Sequence, residues 1–201
     1  MIKLLKTNIK TKNLIFLKSS LGNIDFFLID KIFSLPKDIK ILSKKNLLIF
    51  ETSLGALSLK FIPNTYFFIK NEKFLISVNL KKNKKNILNL YTKLIKINIK
   101  GVLQGFKLIL FLKGIGFKSF LEKNTLILKL GFSHNIVIPI PANIKILNYS
   151  NRLIFNSIDY LALSQFVNYI KNHKKPEPFK GKGLLFKNEK IFQKEGKKSK
   201  K

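Results

Sequence analysis

A pattern that occurs twice constrains this chain more than any other feature of its sequence. Lys45-Asn46-Leu47-Leu48-Ile49 returns 78 residues later as Lys123-Asn124-Thr125-Leu126-Ile127, and at the same shift Ile62-Pro63 falls on Ile140-Pro141. In the first copy, short apolar runs at 38–42, 47–51, 57–61, 66–70 and 74–78 are separated by polar turns, as in antiparallel strands. The period then changes. Ile87, Leu90, Tyr91, Leu94 and Ile97 recur at three- and four-residue spacing, which predicts a helix over about 85–100 with Gly101 ending it. At the shift, the hairpin around Asn71-Glu72 falls near Tyr149-Ser150-Asn151, and the helix falls near 159–172. Asp159 has the chemistry of an N-cap, and Leu161, Ala162, Gln165, Phe166, Tyr169 and Ile170 fill one broad face. Chance likeness between compositionally biased segments is the competing explanation. Keeping turn, proline and helix in one register argues for duplication.

The implied fold is α+β: two tandem small domains, each an antiparallel sheet packed with one helix, plus a basic C-terminal tail. The corresponding boundaries are an extension over 1–35, a first domain over 36–100, a second over 101–175, and the tail over 176–201. Within the extension, Gly22-Asn23 is a candidate hairpin turn.

The tail carries the densest chemistry. In Lys174-Lys175-Pro176-Glu177-Pro178-Phe179-Lys180-Gly181-Lys182-Gly183-Leu184 the two prolines fix φ and lack an N–H, so the preceding helix stops by about His173. The chain is then expected to leave in extended, polyproline-like form and to become ordered on a polyanion. Gly181 and Gly183 allow close backbone approach beside Lys182. Lys174, Lys175, Lys180, Lys182 and Lys187, with Lys197 and Lys198 near the end, are the candidate phosphate contacts. A solvated, disordered basic terminus is the alternative reading of the same residues.

Charge supports a polyanionic partner. Thirty-nine basic residues against ten acidic ones give a formal net charge of +29, and self-repulsion on that scale penalises a compact state held in isolation. With 46% hydrophobic residues the chain can still bury cores. RNA, DNA or an anionic membrane surface would offset the repulsion. Only Arg152 is an arginine, so point contacts to phosphate are expected instead of bidentate base reading. The richness in Lys, Asn, Ile and Phe also matches an AT-rich genome such as an organelle's. The basic N-terminus lacks both the cleavable apolar core of a signal peptide and the arginine and serine richness of a transit peptide, which favours synthesis inside an organelle over import.

Other chemistries are poorly served. There is no cysteine, which removes disulfides and thiol catalysis, and two histidines do not make a zinc site of usual type. The acidic residues are scattered, so neither a two-carboxylate hydrolase nor a Mg²⁺ site is expected, and no cofactor is implied. Lys113-Gly114-Ile115-Gly116-Phe117-Lys118 lacks the third glycine and the following helix of a dinucleotide loop. Ser133 and His134 are adjacent in Gly131-Phe132-Ser133-His134-Asn135, a polar turn between strands at 126–130 and 136–140, with no carboxylate nearby to orient the imidazole. His173 sits at a helix C-terminus, where the dipole suits it without a ligand role. Phe179 and Phe186 can stack on a base or pack the tail down, and packing is favoured. No apolar run is long enough to span a bilayer as a helix.

The segment Pro176 to Leu184, with Leu130-Gly131-Phe132-Ser133-His134 and the ending Lys194-Glu195-Gly196-Lys197-Lys198, resembles bacterial-type large-subunit ribosomal protein six (the universal uL-six family). The likeness covers about 36–201 and is strongest from 101 onward. It implies a structural, non-catalytic protein that binds large-subunit rRNA near the stalk base and the sarcin–ricin region. Neighbouring large-subunit ribosomal proteins and nearby translational GTPases are the implied partners, without membrane insertion. The mitochondrial matrix is the compartment expected first, with an organelle-encoded origin, and the plastid second. Two positions depart from the family pattern: Phe179 stands where tyrosine is usual, and Phe117-Lys118 where an aromatic–arginine pair is usual. The competing class is a basic peripheral membrane-binding protein.

Overall fold

A computed structural model of the chain describes residues 14–18, 24–28, 31–34, 36, 38–44, 46–62, 65–70, 73–78 and 84–196. The chain divides into two compact units, Met1–Leu103 and Gln104–Lys201.

The first unit begins with an antiparallel pair, β1 (Leu14–Lys18) and β2 (Ile24–Leu28), in which Leu14 faces Leu28. The turn expected at Gly22-Asn23 lies outside the described residues. β3 (Lys31–Ser34) pairs with β8 (Lys73–Val78), which pairs in turn with β7 (Thr65–Lys70). A second sheet runs β4 (Lys40–Lys44), β5 (Leu47–Thr52), β6 (Gly55–Lys60). The five expected strands are therefore shared between two sheets, and β3, placed by sequence within the extension, completes one of them. β5 buries Leu48 and Phe50 on one face, the period-two pattern of a half-covered strand. β8 is central in its sheet and buries five consecutive residues, Phe74 to Val78, so both of its faces are covered. Phe67 stacks on Phe74 at 5.6 Å and meets Tyr91 edge-on at 6.1 Å.

Tyr91 lies in α1 (Lys84–Gln104), which buries Leu88, Tyr91, Thr92, Ile95 and Val102. The Tyr91 hydroxyl accepts the Ile62 N–H at 2.8 Å, giving the one polar group on that ring a partner. Gly101 does not end this helix, as the sequence led one to expect. It is buried inside it, and the stop is Gly105, whose φ of +69° supplies the left-handed residue that follows a helix.

The second unit repeats this order. β9 (Phe106–Lys113), β10 (Lys118–Glu122), β11 (Thr125–Lys129), β12 (Ile136–Pro139), β13 (Lys145–Tyr149), β14 (Arg152–Ser157) and α2 (Tyr160–His173) follow one another. Displaced by 78 residues, β4 falls on β10, the first five residues of β5 fall on β11, and β8 falls within one residue of β14. Topology repeats as well: β10-β11-β12 matches β4-β5-β6, and β13-β14-β9 matches β7-β8-β3. What the first unit lacks among its described residues is β15 (Gly183–Phe186), which adds to the free side of β9.

One face of the four-stranded sheet carries the core: Leu110 and Leu112 from β9, Leu153 and Phe155 from β14, and Leu184 from β15. Onto it pack Leu126 and Leu128 of β11 and Leu163, Val167 and Ile170 of α2. Full burial of Phe155 alone contributes about 2–3 kcal/mol. α2 buries Leu163, Val167 and Ile170 with Phe166 packed beside them, so only Phe166 and Ile170 of the expected face reach the core. Leu161 and Tyr169, assigned to it by spacing, are 47% and 55% exposed. Spacing alone left the face about one residue out of phase.

Asp159 does cap this helix. Its Oδ1 accepts from the Leu161 and Ala162 N–H groups at 2.8 and 3.3 Å. Asp159→Ala is expected to cost about 1 kcal/mol of unit stability, read as a shift in denaturant midpoint without a change in m-value.

Candidate nucleic-acid interface

The prolines stop α2 at His173, as the sequence required, and the chain beyond folds back onto its own unit instead of leaving as an extended strap. Its own hydrogen bonds fold it. Glu177 N–H donates to the Lys182 carbonyl at 2.8 Å, and Gly181 N–H donates to the Glu177 carbonyl at 2.9 Å, closing a loop over 177–182. Gly181 ends the inner turn at φ +64°. Leu184 N–H then donates to the Lys174 carbonyl at 3.0 Å, and β15 runs along β9 with Gly183 opposite Lys113. Lys194 N–H returns to the Pro178 carbonyl at 2.9 Å. On this return Ile191 and Gln193, with Phe111 and Leu185 of the sheet, line a cleft of about 390 Å³.

This frame decides where each candidate contact sits. Lys175, Lys180 and Lys187 are exposed, while Lys174 and Lys182 are half-buried. Lys174 Nζ lies 4.8 Å from the centre of the Phe132 ring, a cation–π position. Gly181 and Gly183 are buried. A Cβ on Gly183 would fall 2.5 Å from Pro176 Cα, so its bareness is needed for packing within the unit. Phe179 is 58% exposed and Phe186 is half-buried, so the packing expected of both applies to Phe186. Lys197 and Lys198 lie outside the described residues.

The turn after β15 is pinned to α2 by a charge pair. Lys171 Nζ donates to both Glu189 carboxylate oxygens at 2.6 and 2.7 Å, and Phe186 N–H donates to Oε2 at 3.1 Å. Lys171 Nζ also lies 4.7 Å from the Phe186 ring centre. Partial burial pushes the Glu189 carboxyl up. The Lys171 hydrogen bond, the Phe186 N–H and the Lys171 charge outweigh it, so the net shift is below the ordinary value of 4.5. A depressed folded pKa adds stability that is full above the unfolded value and is lost as pH falls through 4.5 toward the lower folded value. Glu189→Gln is expected to cost up to about 1 kcal/mol at pH 7 and to remove this part of the acid dependence, read from unfolding midpoints at pH 7 and pH 4.

Two further lysines, left out of the candidate contacts, belong to this end of the sheet. Lys113-Gly114-Ile115-Gly116-Phe117-Lys118 is the connection between β9 and β10, with Lys113 and Lys118 exposed and Ile115 90% exposed. The pairing of Gly183 with Lys113 brings this connection beside Lys182 and Gly181, and Lys113 Nζ lies 3.8 Å from where a Gly181 Cβ would stand. The signal available was lysine flanking a glycine pair, read as evidence against a dinucleotide loop and, at Phe117-Lys118, as a departure from the family's aromatic–arginine pair. The stretches 113–118 and 178–183 carry no acidic side chain, and the exposed Glu177 at the start of the tail loop is the acidic residue beside them. The arrangement can hold several phosphates by point charge, and it offers no nucleophile–base pair. Among the described residues no helix is long and apolar enough to cross a membrane.

No protein-family model matches the chain. It is 34% identical over 187 residues to large ribosomal subunit protein uL6 of Karelsulcia muelleri, an alignment that takes in 90% of this chain and all of that one. It is 36% identical over 124 residues to uL6c of Thalassiosira pseudonana and 40% identical over 108 residues to uL6 of Mycoplasmoides gallisepticum. Those two alignments cover 61% and 53% of this chain and only 66% and 59% of the relatives, somewhat under two thirds of their length. The relatives are bacterial and plastid proteins, which gives the expected mitochondrial placement no support.

Proposed function

From the chain's membership of the family of large ribosomal subunit protein uL6, a family of ribosomal proteins and not of enzymes, we propose that it is a structural constituent of the large subunit of a bacterial-type ribosome. Its second unit holds large-subunit rRNA near the stalk base and the sarcin–ricin region. Lys174, Lys175, Lys180, Lys182 and Lys187, joined by Lys113 and Lys118, neutralise backbone phosphates from a frame that the protein itself folds. The lysines act as fixed points that recognise RNA by shape. Neighbouring ribosomal proteins at the stalk base, and translational GTPases passing it, are the protein partners of this reading.

The observation that carries the proposal is the end-to-end alignment with the Karelsulcia muelleri protein. The folded tail supports it, because a frame with exposed lysines spends little entropy on docking. The test is a competition between two polyanions. Full-length protein is offered large-subunit rRNA and vesicles of anionic phospholipid, in pull-down and flotation. Retention on RNA at about 0.15 M salt with loss from vesicles is expected. Flotation with the vesicles and no retention on RNA would overturn the proposal in favour of a membrane surface.

A further inference from the structure

We infer that the loop Gly131-Phe132-Ser133-His134-Asn135, together with the C-terminal turn of α2, forms a seat for one unpaired nucleobase of the bound RNA. This rests on the RNA-binding reading above and goes beyond it, since that reading needs only phosphate contacts.

The loop joins β11 to β12 and turns at Gly131, whose φ is +76°. It holds two aromatic rings out of the core. Phe132 is 41% exposed and His134 is exposed. Their ring centres are 6.2 Å apart and their planes only 21° from parallel. Two nearly parallel, partly exposed rings in one loop offer aromatic faces to a base, which can stack on them whatever its identity, because every base has a π-face.

Three further features fit a nucleotide. Phe132, His134, Asn135, Ile136, Val137 and His173 line an open cleft of about 400 Å³, within the range of small-molecule seats. Beside it, Lys174 keeps its ammonium 4.8 Å from the Phe132 ring, where it can neutralise the phosphate of a nucleotide whose base lies on the loop. At the helix end, His173 Nε2 is buried with no hydrogen-bond partner, although Tyr169 fixes the ring edge-on at 4.9 Å. Buried polar atoms in folded proteins nearly always have a partner, and a base edge seated in the cleft offers both donors and acceptors. Aromatic platform, neighbouring cation and unpaired nitrogen converge from two elements about forty residues apart in sequence.

The test separates stacking from charge. Phe132→Leu and His134→Ala remove ring surface without removing a lysine, and both sites are exposed, so unfolding midpoints are expected to stay close to that of the parent. Binding of full-length protein to large-subunit rRNA is measured over a salt series, with chemical probing of the RNA at single-nucleotide resolution. Each variant is expected to bind roughly 5- to 100-fold more weakly, to keep the parent's salt slope, and to expose one nucleotide that the parent protects. Phe132→Tyr should restore binding. Affinity within twofold of the parent for both variants would overturn the inference while leaving the phosphate contacts standing, and so would a weaker binding with a flattened slope and no newly reactive nucleotide. Loss of a neighbouring protein from the assembled subunit, with rRNA affinity unchanged, would assign the cleft to that protein instead. A parent chain that fails to bind rRNA at all overturns the RNA reading itself, and this inference with it.

Discussion

Replacing Gly183 with alanine is expected to lower the unfolding midpoint of the second unit by roughly 15 °C and to open the tail to protease. The added Cβ would stand 2.5 Å from Pro176 Cα, 2.7 Å from Pro176 N and 2.8 Å from the Lys175 carbonyl oxygen. All three are backbone atoms next to a proline, so no side chain can swing away to make room. The residue also sits at φ +149°, in a region that L side chains rarely adopt. Relief requires β15 to leave β9, which exposes Leu184, a residue with no accessible surface in the fold. A cost of about 3 kcal/mol or more follows from overpacking and backbone strain together, and for a unit of about a hundred residues that is a shift of this size. Thermal unfolding and limited proteolysis read it, with new cleavage expected after Lys180 or Lys182. Gly116→Ala is the control: its φ is +75°, but nothing lies within 4 Å of the new Cβ, so only the conformational cost of about 1 kcal/mol remains. Equal losses at the two sites would mean that the fit against Pro176 does not hold the strand.

Replacing Lys180, Lys182 and Lys187 together by alanine is expected to weaken rRNA binding by about 100-fold near 0.1 M salt. The slope of log K against log salt should fall by roughly two to three units, since each phosphate that a lysine no longer neutralises takes about 0.7–0.9 from it. Lys180 and Lys187 are exposed, and the frame of the tail is closed by backbone groups and by the Lys171–Glu189 pair, not by these three side chains. Circular dichroism should therefore report a folded protein. The contrast with Gly183→Ala is informative. The lysine variant loses charge from an intact frame, whereas the glycine variant keeps every charge and loses the frame. If the lysines act as additive point charges, the first flattens the slope, and the second lowers affinity through the ordering cost of a freed tail.

How much of this was legible in the sequence depends on the range of the interactions involved. The repeat, most strands and the ends of α2 follow from local chemistry: apolar alternation, the change to helical spacing at Ile87, Asp159 as a cap, and two prolines after His173. What was missed depends on pairing between distant segments. Leu184-Leu185-Phe186 is a short apolar run among prolines, glycines and lysines, and only the free side of β9, some seventy residues earlier, makes it a strand. The same pairing brings Lys113 beside Lys182, so these lysines looked unrelated along the chain. β3 was lost for a like reason, because its partner β8 lies about forty residues on. Gly101 misled differently. A glycine near the end of a helical pattern reads as a stop, but its burial among packed side chains keeps it inside α1, and the next glycine takes the left-handed conformation. Gly183 was read as a close-approach residue, and the neighbour that its bareness admits within the unit is the backbone of its own Pro176.

If the chain lives as part of a large ribosomal subunit, its excess of positive charge is met by rRNA, and the particle itself reports it. Sedimentation of the tagged chain from cells that express it, through a sucrose gradient at low salt, tests this most directly. The chain is expected to travel with the large-subunit peak and to be stripped from it as salt is raised. Recovery at the top of the gradient as a free, folded monomer, while the large-subunit peak forms normally without it, would contradict the ribosomal assignment.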